Sequence, residues 1–165
     1  MTAKQMALGG VTAALAVVIL CLGGLVPFAT YVLTMICCIL LQLILPSVGN
    51  RGGWIWYCAV SALAVMLCPD KEAAATMVFL GWYPMFKPKL DQMPLGMIVK
   101  FLLFNLAVCA MYSLLIGLLG FDGLKAEFEE LGIWLTVAVL ALGNLCFYLL
   151  DRVLSRFLKI KNRSV

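Results

Sequence analysis

Residues 6–28 read MALGGVTAALAVVILCLGGLVPF, an apolar run without one charged side chain. Crossing the hydrocarbon core of a bilayer takes about 20 such residues. The run has that length, and it sets the scale by which the rest of the chain divides. Working outward, 29–46, 95–120 and 131–150 are three more runs of this kind, and 53–68 and 73–86 are two shorter ones. The 165-residue chain is 65% hydrophobic and 12% charged, with a mean hydropathy of +1.09, whereas soluble domains carry about 25% charged residues. The expectation is an all-α polytopic integral membrane protein. It would form a single transmembrane domain over 1–165, a six-helix bundle with a basic tail at 151–165. The first run is too long and too glycine-rich for a cleaved signal peptide, so it is expected as a helix of the mature protein.

Charge supplies the orientation, because Lys and Arg resist translocation during insertion. With six spans, one side holds Lys4, Arg51, Lys87, Lys89, Arg152, Arg156, Lys159, Lys161 and Arg163, and the other only Lys71 and Lys125. Nine against two places both termini in the cytoplasm. The acids agree: Asp70, Glu72, Asp122, Glu127, Glu129 and Glu130 fall outside, and Asp91 and Asp151 inside. The net charge of +4 reads as topology and attraction to anionic headgroups. Without a basic soluble surface, nucleic acid is not an expected partner.

The chain has seven cysteines, no C-x-x-C pair and no histidine. No metal site or cofactor is expected, and the cysteines read as small apolar packing residues. Cys68, beside an outer loop, is the one to watch for redox chemistry. Membrane hydrolases and transferases need a His, paired intramembrane acids or a nucleophile with its base. None of these is legible, so the chain is not expected to be an enzyme. Nor is there a P-loop, so any ATP chemistry would come from a partner.

Ala3, Ala7, Gly10 and Ala14 fall at i, i+4, i+7 and i+11, a stripe of small side chains along the first helix. Such stripes let another helix approach closely, either within the bundle or in a partner subunit. Pro46 closes the second run before an inner loop at 47–53, and Trp54, Trp56 and Tyr57 fit an interfacial aromatic belt. Runs 53–68 and 73–86 give only about 24 Å and 21 Å of helix, so they would thin the bilayer, bury their ends in protein or re-enter. Prolines 84, 88 and 94 make a kinked cytoplasmic corner, with Lys87 and Lys89 anchoring it at the headgroups. Asn105, Cys109 and Tyr112 share one helical face, as do Asn144, Tyr148 and Asp151. Lys100 and Asp151 lie at similar depth; either they pair as an intramembrane ion pair or Lys100 snorkels alone.

In length, six spans, inward termini and the small-residue first helix, the chain resembles the S components of energy-coupling factor transporters, the substrate-binding subunits of prokaryotic vitamin and metal importers. The segments around Pro69-Asp70-Lys71-Glu72 and Gly81-Trp82-Tyr83-Pro84 also resemble small membrane proteins of Gram-positive bacteria. The resemblance implies that Ala3, Ala7, Gly10 and Ala14 dock onto a transmembrane coupling subunit with ATPases. It also implies a small-molecule ligand in the outer half, at Glu72, Thr76, Tyr112, Ser113, Trp134 and Thr136. Two other readings stand beside it: a non-enzymatic structural or assembly protein, and a small homo-oligomeric channel or transporter.

Overall fold

The computed structural model describes residues 2–25, 30–93, 95–117, 137–138 and 140–157. Among these the chain is helical without a strand: α1 (Ala3–Cys21), a 3-10 turn (Leu22–Leu25), α2 (Thr30–Leu67), α3 (Lys71–Leu80), α4 (Tyr83–Leu90), α5 (Gly96–Gly117) and α6 over 140–157. Three helices of the described residues, Ala3–Cys21, Thr30–Leu67 and the Gly96–Leu115 part of α5, are long and apolar enough to cross a membrane.

The longest of them is folded back on itself. Gly49 sits at φ 73, ψ 175 in the middle of α2, a conformation that costs glycine little and L side chains much. A straight helix of 38 residues would hold its ends about 57 Å apart. Instead the Thr30 hydroxyl donates to Asp70 Oδ2 at 3.3 Å, just beyond the far end. The element is therefore two antiparallel arms, 30–48 and 50–67, each about 27 Å long. The inner loop expected over 47–53 is a reversal at one glycine, with helix on both sides. Gly53 sits where the arms close: a Cβ there would lie 2.5 Å from Leu45 Cδ1 and 3.4 Å from Met85 Sδ.

α1 begins with a capping box between Thr2 and Gln5 and lies against both arms. Gln5 Nε2 donates to Ser47 O at 2.7 Å and Cys37 Sγ to Ala16 O at 3.5 Å, so α1 runs antiparallel to the first arm. Trp56 Nε1 donates to Thr12 Oγ1 at 3.1 Å and Cys21 Sγ lies 3.2 Å from Cys68 Sγ, so it runs parallel to the second. Trp56 is 4% exposed, which removes it from the aromatic belt. Its indole has a hydrogen-bond partner inside the bundle, and only Trp54 of the expected trio is exposed.

Run 73–86, expected as one span, is broken into α3 and α4 at Gly81-Trp82. Pro84 has no N–H for the Leu80 carbonyl, and its ring crowds that oxygen. Neighbouring side chains serve the carbonyls around the break: Cys38 Sγ points at Leu80 O from 3.8 Å, and the Tyr57 hydroxyl donates to Val78 O at 2.6 Å. This is how a helix break persists inside a membrane protein. Gly81 N–H still reaches Met77 O at 2.8 Å, so α3 and α4 continue in roughly one direction.

α5 runs antiparallel to that pair, and α6 antiparallel to α5. Asn105 and Asn144 exchange side-chain hydrogen bonds, Nδ2 to Oδ1, at 2.9 and 3.2 Å. Each also donates to the carbonyl four residues back, Phe101 or Leu140. Phe104 and Phe147 stack beside them with centroids 4.6 Å apart. Two apolar cores result. One joins α1, both arms of α2 and the α3–α4 edge; the other joins the first arm, Leu80, Tyr83, α5 and α6. The outer faces of α1, α5 and α6 present Val11, Leu15, Ile98, Leu102, Leu106, Leu145 and Leu149, which suits lipid contact.

Candidate functional site

The antiparallel pairings sort the polar side chains to two ends of the bundle. At the end where α2 meets α3, each charged residue of Pro69-Asp70-Lys71-Glu72 has an assigned contact. Asp70 caps α3, its Oδ1 accepting from the amides of Glu72 at 2.9 Å and Ala73 at 3.1 Å. Lys71 Nζ donates to Val65 O and Cys68 O at 3.1 and 3.0 Å, closing the C-terminus of α2. Glu72 Oε1 accepts from the Tyr112 hydroxyl, which lies 3.0 Å from the Tyr31 hydroxyl on the first arm. A carboxylate and two phenols from three elements thus form one chain of polar contacts.

Of the residues implied as ligand-binding, the structure brings Glu72 and Tyr112 into contact, with Thr76 one turn below. Thr76 is fully buried, and its hydroxyl is occupied by Glu72 O at 2.8 Å and Met111 Sδ at 3.3 Å. It supports the packing of α3 on α5. Ser113 is exposed, away from the Glu72–Tyr112 contact. Trp134 and Thr136 lie outside the described residues. Tyr31 joins the set without any spacing in the sequence to announce it.

The opposite end holds the densest charge in the described residues. Asp151 on α6 is the hub: it accepts from Tyr83 and Lys87 on α4, and its two oxygens lie 3.2 and 3.4 Å from Lys100 Nζ on α5. Asp91 closes the ring, contacting Lys100 and lying 3.4 Å from Lys87 Nζ. The two buried lysines are offset by buried Asp151 and by Asp91, which is exposed at the rim, and such pairing is how buried charges persist. Lys87 is fully buried, so the expected headgroup anchor is wrong for it: its ammonium turns inward to Asp151. Lys100 meets Asp151, but within a group of five side chains and not as an isolated pair. Tyr83, Lys87 and Asp91 fall at i, i+4 and i+8, one helical face, so the pattern was present in the sequence behind the prolines. A small recess beside Tyr83 and Lys100, walled by Phe104 and Phe147, has room for about one water molecule.

Burial alone would raise the Asp151 carboxyl, but hydrogen bonds from Lys87 and Tyr83 and the charge of Lys87 hold it below its ordinary value. The carboxylate's shift governs acid behaviour, because three donors converge on that one group.

The small stripe of α1 is turned away from both arms. Ala3, Ala7, Gly10 and Ala14 are all exposed, and a Cβ built on Gly10 meets nothing within 4 Å. The face that packs inside carries Thr12, Ala16, Val17 and Leu20. Among the described residues no three or more His, Cys, Asp or Glu side chains are grouped so as to hold a metal. No family model, curated protein or solved structure matches the chain.

Proposed function

We propose that the chain is a non-enzymatic, solute-capturing membrane subunit of the energy-coupling-factor S-component type. Both termini and the Lys87–Asp151 end face the cytoplasm of a bacterium, and six apolar runs cross its plasma membrane, the fourth as the broken pair α3–α4. A vitamin-like small molecule binds at the outer end around Glu72 and Tyr112. Delivery follows docking onto a transmembrane coupling subunit with its ATPases.

The observation that carries this reading is the outward small stripe of α1. A helix that used Ala3, Ala7, Gly10 and Ala14 for its own bundle would bury them, and here it buries the opposite face. Close helix approach is what such a stripe provides where lipid supplies no hydrophobic force between helices. Gly10→Leu and Ala14→Leu are the test, since neither disturbs the internal packing. Both variants should insert and keep their melting temperature in detergent while losing co-purification of a coupling subunit. Native mass spectrometry of the same wild-type preparation should show one retained small molecule. A loss of thermal stability in the variants would return the stripe to internal packing and remove the docking reading.

A structural or assembly protein is the second reading. It is favoured by the tight recess beside Lys100 and by the full engagement of Asp70 and Lys71 in helix capping. A protein partner that co-purifies without any bound small molecule would select it.

A further inference from the structure

Cys21 ends α1 and Cys68 follows α2, 47 residues apart in sequence and with sulfurs 3.2 Å apart. A disulfide bond is about 2.05 Å long, so closure needs roughly one ångström of approach, within the play of two χ1 torsions. The surroundings hold both sulfurs in place. Lys71 Nζ grips the Cys68 carbonyl at 3.0 Å, and a Cβ on Gly23 would lie 3.2 Å from Asp70 Oδ2, so the exit of α1 runs against the cap of α3. Cys68 is buried while Cys21 is half-buried, beside the polar group Asp70, Lys71 and Glu72 where the bundle meets water. Cys37 and Cys38 instead point their sulfurs at the carbonyls of Ala16 and Leu80.

We propose that Cys21 and Cys68 form a dithiol site that a small disulfide compound closes covalently, stapling α1 to the α2–α3 junction. The more accessible Cys21 thiolate attacks one sulfur of the compound, forming a mixed disulfide and displacing one small thiolate. The Cys68 thiolate then attacks the Cys21 sulfur and displaces the second. Two protein thiols are oxidised, one small disulfide is reduced to two small thiols, and the two protons lost by the cysteines end on them. The staple sits two residues before Asp70 and four before Glu72, so it fixes the α1 exit against the end that bears the Glu72–Tyr112 contact. That this end meets an oxidising exterior rests on the topology proposed above; the pairing itself does not.

The test treats the detergent-purified full-length protein with oxidised glutathione, then counts alkylatable thiols by intact mass. The expected result is a loss of two of the seven thiols, a mass lower by two hydrogens and no retained glutathione. Cys21→Ser and Cys68→Ser each abolish the closure, and Cys37→Ser leaves it intact. If either variant fails to fold, peptide mapping of the oxidised wild type must show the 21–68 link. Seven remaining thiols, a stable glutathione adduct or a link to Cys37 overturns the proposal. In intact cells, a membrane-impermeant disulfide reagent should close the pair without permeabilisation. Closure in detergent but in cells only after permeabilisation overturns the outward placement, and with it the proposed topology, while the pair stands.

Discussion

Asp151 accepts from three donors on two other helices, and that convergence makes it the residue with most to lose. Removing one member of a buried ion pair costs about 3–5 kcal/mol, because the remaining charge stays buried. Asp151→Asn leaves both lysines sharing Asp91, so it should lower stability more than Lys100→Met, after which Lys87 and Tyr83 still serve Asp151. Denaturant or thermal unfolding in detergent gives the order, and the Lys100→Met/Asp151→Asn double mutant should recover part of the loss. Strict additivity would place the two residues in separate interactions. The same group sets an acid limit. A carboxyl held below its ordinary 3.8 contributes stability that is present above that pH and is lost as pH falls below it. The wild type should therefore lose melting temperature on acidification past that value, and Asp151→Asn should lack that part of the acid slope. The Lys100–Asp151 proximity was legible from matching depths in two apolar runs. Lys87 was not, because a basic residue flanked by prolines at a run's edge reads by default as a headgroup anchor, and only the third dimension turns it inward.

Among elements, α2 carries the most information per residue changed. Its reversal rests on Gly49, whose positive φ a side chain would strain, and on Gly53, where a Cβ would have to displace the Leu45 side-chain methyl 2.5 Å away. Gly53→Leu should destabilise the bundle, with Gly49→Ala in the same direction by about 1–3 kcal/mol; both are read by melting in detergent with insertion unchanged. By contrast Asn105→Leu should cost only about 0.6 kcal/mol, the mean measured for interhelical hydrogen bonds in a membrane protein. A loss several times larger would show that the amide pair sets helix register as well. Apolar run length predicted both arms of α2 to within a few residues, since hydrophobicity and helix length report the same quantity. It missed the absence of a loop at 47–53, because Ser, Gly, Asn and Arg mark a turn by composition and say nothing of how short it is. It also missed the break at Gly81-Trp82, where apolar residues continue across a point at which Pro84 removes the backbone donor.

For the whole molecule, the pairings put Lys71 at one end and Arg51, Lys87 and Lys89 at the other, the same division the basic residues show in sequence. Amine labelling with an impermeant reagent should modify Lys71 and Lys125 in intact cells, and Lys4 and Lys161 only after permeabilisation. External labelling of Lys161 would overturn the six-run topology and the outer placement of the Glu72 end together. The two apolar cores also divide the chain by order of synthesis. α1 and both arms of α2 meet within the first 68 residues, so the contacts among them need nothing synthesised later. The charged ring follows another schedule: Lys87, Asp91 and Lys100 emerge first, and Asp151 comes 51 residues after Lys100. A nascent chain that has not reached α6 holds two inward lysines against a single aspartate. Synthesis of α6 is thus what balances that end, and a product that stops before it is left carrying an uncompensated positive charge there.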